Sequence, residues 1–236
     1  MASRMKYPWD SDEPTNSLRN EVTFPSIQRI VEDNNTDLTS VPKIDYHCAY
    51  IGTIDDIVVR DFLDSHRLVL LVKGRVKKEI KVAFYDRTRG LPLLSYIQIG
   101  YALVVLYPKP HQFIEDMGQP VGFKIEDEQM KNIRIIPHSY RKLLAANDRY
   151  FSLISKPPNC AGCNSDKEDT ATKKLPRCPR CWVTKYCGKE CQTEDWDKHK
   201  KECRPLKDVQ WFTRKDWATV QDDAPGKLPV MFTGAD

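Results

Sequence analysis

Seven of the chain's eight cysteines fall between Cys160 and Cys203, and one histidine, His199, lies among them. Their order is Cys160-x2-Cys163-x14-Cys178-x2-Cys181-x5-Cys187-x3-Cys191-x7-His199-x3-Cys203. Two residues between cysteines let both thiolates of one turn reach a metal at about 2.3 Å, so the two Cys-x2-Cys knuckles are two half-sites. Cys187 and Cys191 are four apart and share a face on a helical turn; so do His199 and Cys203 on a second helical stretch. Thr193 is placed to cap that stretch, with Glu194 and Asp195 at its positive end and Lys200 and Lys201 at its negative end. Eight ligands at this spacing predict two tetrahedral zinc sites. The competing reading is buried or disulfide-bonded cysteines. The N-terminus lacks the apolar stretch of a secretory signal, which points to a reducing compartment, where cysteines more often hold metal.

Other groups are weaker candidates. The Gly-x-Ser-x-Gly elbow, the phosphate-cradling glycine loop and His-Glu-x-x-His are all missing from the sequence. The acidic pairs Asp55-Asp56 and Glu126-Asp-Glu128 suit strand ends rather than a cleft. Cys48, His47, His66, His111 and His138 are scattered among unlike neighbours and read as packing or surface residues. These observations predict no enzyme activity.

The elements that must hold the cysteines come next. Residues 1–40 carry seven acidic and four basic side chains, many Asn, Ser, Thr and Pro, and no apolar period. They read as a flexible arm with one short ordered piece around Ile27 to Val31. Residues 41–156 read as a β domain. Leu68 to Lys73 is a short apolar run, Gly74 offers a turn, and Ile80, Val82 and Phe84 alternate with Lys81, Ala83 and Tyr85. Ala102, Val104 and Leu106 follow Gly100; then come Val121, Phe123 and Ile125, and Ile133, Ile135 and Ile136. About six strands suggest a small β-barrel. Residues 139–155 switch to helical spacing, and that helix is expected to pack on the barrel. Lys156-Pro-Pro-Asn159 links it to the cysteine-rich region. Pro205 is expected to stop the last helix. The tail, 204–236, carries Trp211, Phe212 and Trp217, which suggests that it docks back. The fold class is therefore α+β.

The ligand order, with Lys185-Tyr-Cys-Gly-Lys-Glu-Cys-Gln192 and Asp195-Trp-Asp-Lys-His199 set among the ligands, resembles the MYND zinc finger over residues 160–203. The resemblance implies that Cys160, Cys163, Cys187 and Cys191 hold one zinc and that Cys178, Cys181, His199 and Cys203 hold the other. Both sets spend four protein ligands, so the two ions are expected to be structural. Seven thiolates and two Zn²⁺ bring the formal charge from +4 to about +1. The resemblance also implies a protein-interaction module, with Gln192 and Trp196 at the positions that contact proline-containing peptides. Trp196 as plain core and Gln192 as plain helix surface are the bland alternatives. Some MYND proteins carry a methyltransferase domain, but residues 41–149 show none of its expected signatures.

The β region weakly resembles an OB-type barrel, by pattern alone. That implies a second function, nucleic-acid binding, through Tyr85, Tyr101, Tyr107 and Phe113 with Lys73, Arg75, Lys77, Lys78, Lys81, Arg87 and Arg89. A solvated hairpin face explains the same basic cluster, and residues 41–149 are only net +4. The favoured reading is a zinc-stabilised adaptor in the nucleus or cytoplasm that recruits a protein partner. No apolar run approaches the roughly 20 residues of a membrane span.

Overall fold

The computed structural model describes residues 7–34, 47–62, 65–113, 121–166 and 175–218, with the side chains of 34 and 60–65 left aside. Residues 167–174 and the tail residues 219–236 lie outside that set. Two compact units emerge. One runs up to Tyr140 and takes in the described residues from Lys215 onward; the other is Arg141–Arg214.

Among the described residues the first unit is built on six strands: β1 (Ala49–Phe62), β2 (Ser65–Lys73), β3 (Glu79–Phe84), β4 (Ala102–Leu106), β5 (Phe123–Ile125) and β6 (Ile133–Ile136). They form one sheet in the order β5-β3-β2-β1-β4-β6. β1 is long enough to serve two partners, with Ala49 to Thr53 on β4 and Thr53 to Phe62 on β2, and a register shift between Ile54 and Asp56 bends it. β3 and β5 pair in parallel and all other pairs are antiparallel. Among the described residues β5 and β6 remain edges, so the sheet is a curled half-barrel. The small OB-like barrel is not what the pairing gives: β5 and β6 span three and four residues and are not paired to each other.

Ile54, Leu68, Leu70, Ile80, Val82 and Phe84 form the main core on one face. The other face is covered too, because Val69, Ala83 and Phe113 cluster there. The expected wet face of β3 is therefore absent; Lys81 itself is buried. Gly122 admits β5 beside β3, since a Cβ there would collide with the Lys81 carbonyl.

Residues 7–34 are not a loose arm. Pro8–Asp10 forms a 3-10 turn and helix α1 spans Ile27–Asn34. Asn20 is fully buried; its Nδ2 donates to the Pro8 and Glu13 carbonyls at 2.8 and 3.0 Å, and its Oδ1 accepts from the Val22 and Thr23 N–H groups at 3.1 Å each. Arg75 donates to the Leu18 carbonyl at 2.7 Å. Leu18, Val22 and Phe24 are buried at spacings that follow no period, which is why the sequence looked unstructured. The tail returns to this unit through Trp217, fully buried and edge-on to Phe24 at 4.8 Å, with its carbonyl accepting from His47 N–H.

The second unit holds most of α2 (Tyr140–Ser155), then α3 (Lys189–Asp208) and the short α4 (Gln210–Thr213). The helix expected to close the β domain thus belongs with the cysteine-rich region: Tyr150 and Leu153 pack on its core. Pro205 does not stop α3 but lies within it, in the final turn, where only one helical hydrogen bond is forfeited.

Candidate metal centre and interaction surface

The two knuckles share one design. Asn164 N–H donates to Cys160 O and Trp182 N–H to Cys178 O, both at 2.8 Å, and both donors sit in the left-handed region at φ 58° and 60°. The Cys178–Thr184 and Tyr186–Pro176 backbone bonds tie the second knuckle into a small hairpin. A single helix, α3, then supplies Cys191, His199 and Cys203, where two helical stretches were expected. Thr193 does not cap it; its hydroxyl donates back to Lys189 O at 2.9 Å. Cys191 and His199 are eight residues apart, about 12 Å along the axis, so α3 reaches two separate places.

Two clusters result. Cys160, Cys163, Cys187 and Cys191 gather in one, and Cys178, Cys181, His199 and Cys203 in the other, with the ligand atoms of each set within 4.8 Å of one another. Zinc–sulfur bonds of 2.3 Å at tetrahedral angles imply sulfur–sulfur edges of about 3.8 Å, and sulfur–nitrogen edges of about 3.6 Å. Cys163 and Cys187 sulfurs are 3.7 Å apart and those of Cys178 and Cys203 3.8 Å. His199 Nε2 is 3.6 Å from Cys181 Sγ. Cys187 and Cys191 are tighter, at 3.3 Å. These residues fit zinc.

The electrostatics agree. Burial pushes the Cys160 thiol up, but N–H groups of Cys163, Cys187 and Gly162 aimed at its sulfur bring it down to about 6. Burial, then the nearby Cys181 and Cys178 sulfurs, push Cys203 up to about 12. Crowded thiolates that repel one another are what a divalent cation relieves. With zinc bound, each set would use four protein ligands, which supplies folding energy rather than an open coordination position.

Two residues escaped the sequence reading. Thr184, buried, places its hydroxyl 3.5 Å from His199 Nδ1, the nitrogen turned away from the cluster. Gly162 lies against α3; a Cβ there would meet Cys191 O at 2.8 Å. Neither carries a motif signal, since each acts through contact with distant residues.

Gln192 and Trp196 lie four apart on α3, and both are half-buried. The Trp196 ring meets His199 edge-on at 6.0 Å and packs on the finger core. Arg180 lies over it at 5.5 Å. The nucleic-acid candidates fare worse. Tyr107 and Phe113 are buried, and Arg67 stacks on Tyr85 at 3.6 Å. Lys73 pairs with Asp55 and Glu79, Arg75 with Glu21, and Arg87 with Asp127. Among the described residues no helix is long and apolar enough to cross a membrane.

The family model of the MYND finger matches residues 159–203. Residues 159–203 are a MYND finger. Histone-lysine N-methyltransferase ASHR1 of Arabidopsis thaliana is 32% identical over 88 residues, 34% of this chain and 18% of that protein. Histone-lysine N-methyltransferase SMYD3 of Homo sapiens is 46% identical over 48 residues, covering 20% and 10%. N-lysine methyltransferase SMYD2 of Gallus gallus is 47% identical over 56 residues, covering 24% and 12%. The chain thus aligns with less than a fifth of each relative's length. These names overturn the expectation of no enzyme activity, which rested on missing signatures: the finger's relatives are named lysine methyltransferases. What the finger establishes directly is a protein-interaction module.

Proposed function

We propose that the finger, held by two structural zinc ions on the ligand sets Cys160/Cys163/Cys187/Cys191 and Cys178/Cys181/His199/Cys203, recruits a partner through an extended proline-containing segment. The observation that carries this reading is Trp196 one helical turn beyond Gln192, on the helix that also supplies three ligands. An indole face suits a proline ring, and Gln192 supplies an amide for the backbone beside it. Arg180 occupies one side of the indole, so the peptide either takes the other side or displaces the guanidinium. The test is a peptide array followed by titration of wild type and Trp196→Ala, with zinc content measured in both. Loss of an interface anchor should weaken binding about thirtyfold, on the order of 2 kcal/mol. If Trp196→Ala keeps its zinc and its affinity for every hit, the groove assignment fails.

From the relatives' names we further infer that this recruitment serves lysine methylation. Labelled methyl groups from S-adenosylmethionine should reach histone lysines in the presence of the whole chain, alone or with the proteins it captures. No incorporation in either preparation would contradict that setting.

A further inference from the structure

The second unit carries another surface, which shares no residue with Gln192 and Trp196. Two clefts, of about 380 and 250 Å³, have Leu153, Val183 and Lys185 as a common wall. The larger has Pro157, Pro158 and Ala161 as apolar lining. The smaller is flanked by Tyr150, Ile154 and Trp182. Ile154 and Trp182 are 56% and 58% exposed, and both belong to this one rim.

Trp182 is the more telling of the two. It occupies the position that Asn164 holds in the first knuckle, with the same backbone bond and the same left-handed φ. Asn visits that conformation readily; a bulky aromatic pays for it, typically on the order of 1 kcal/mol or more. Its exposure means that little core packing offsets the cost.

The charge around the clefts has one sign. Arg149 and Lys156 line the larger, Arg177 and Arg214 the smaller, and Lys185 both; among the described residues no carboxylate lines either. Arg149 is engaged with Glu202 at 3.4 Å, which leaves four cations facing the clefts. A further observation concerns Gln210, 7% exposed in the wall of the smaller cleft. Its Nε2 donates to Cys181 O and Leu206 O at 2.7 Å each, while its Oε1 has no partner.

We propose that this Trp182 groove binds an acidic, extended protein segment with an apolar side chain at its centre. The apolar residue would sit against Leu153, Val183 and Trp182, and flanking carboxylates would pair with Arg177, Lys185, Lys156 and Arg214. Among the described residues Trp182 is the one strongly exposed ring on this rim, too little to stack a run of bases.

The test uses the whole, zinc-loaded chain and a pool of synthetic peptides in which Asp and Glu flank one Leu, Ile or Phe. A matched pool with Asn and Gln at the acidic positions is the control, with a single-stranded oligo-dT as competitor. The acidic pool should bind and the neutral pool should not, with affinity falling as salt rises. Trp182→Gly, which relaxes the backbone and so preserves the fold, should lose tenfold or more with both zinc ions retained. Arg177→Glu should do the same, whereas Trp196→Ala should leave this binding unchanged. The proposal is overturned if the acidic pool does not bind at millimolar concentration, or if Trp182→Gly binds as wild type. It is equally overturned if oligo-dT binds in preference, or if the chain dimerises through this face. A loss with Trp196→Ala but not Trp182→Gly would assign acidic peptides to the other surface.

Discussion

Thr184 illustrates how a single hydroxyl would set a metal ligand. With zinc on Nε2, His199 would carry its proton on Nδ1, and Thr184 Oγ1 is the buried partner 3.5 Å away. Removing such a partner typically costs 10–100-fold in metal affinity. Thr184→Val should therefore weaken zinc at the Cys178 set alone, while Thr184→Ser restores it; competition with a chromophoric chelator reads both. Equal affinity in Thr184→Val would leave His199 oriented by its ring contacts instead. Cys48 makes a different residue-scale prediction. Burial, with Asp33 adding to it, pushes its thiol up to about 12. It should resist iodoacetamide at pH 8 in the folded chain and react once denatured. The sign for stability follows: the native state keeps the proton longer, so Cys48 supports folding fully below the unfolded value of about 9, and that support is lost as pH rises towards about 12. Cys48→Ala should flatten the alkaline limb of an unfolding curve, and an unchanged limb would refute the shift. At this scale the sequence was most legible where chemistry requires fixed types, as with two thiolates separated by two residues. It was silent about Thr184, whose role exists only once α3 lies beside the hairpin.

Elements show where local pattern suffices and where it does not. β2 and β3 were readable because apolar runs and alternation are local properties. The half-barrel's openness was not, since it depends on which strands fail to meet. Residues 7–34 were misread for a specific reason: their order comes from Asn20, which satisfies four backbone groups instead of joining a periodic element. Asn20→Ala should therefore destabilise the sheet unit by about 3 kcal/mol, from several unpaired buried groups, and leave zinc content intact. Chemical denaturation followed by far-ultraviolet dichroism checks it, and a change below about 0.5 kcal/mol would return the segment to a loosely held arm. In the finger, Gly162 is required by close approach: a methyl group there must push against Cys191 O, 2.8 Å from the ideal Cβ. Gly162→Ala should loosen the Cys160 set selectively, seen as faster zinc loss from one of two sites under chelator. Uniform loss from both would mean that the two sets do not act separately.

For the molecule as a whole, the division falls at Tyr140/Arg141 and again near Lys215, so α2 goes with the finger and Trp217 with the sheet. The assignment of α2 was not visible beforehand, because a helix's period says which face is buried but not against which unit; the tail aromatics suggested docking but not on which unit. A finger of some 45 residues buries too little apolar surface to hold itself, which makes its folding conditional on metal. The metal count tests this dependence most directly. Native mass spectrometry of the whole chain, prepared under reducing conditions, should show two zinc ions, and Cys178→Ser should lose zinc and melt Arg141–Arg214 while the sheet of the first unit persists. One ion or none in the wild-type chain, or collapse of the sheet together with the finger, would contradict it.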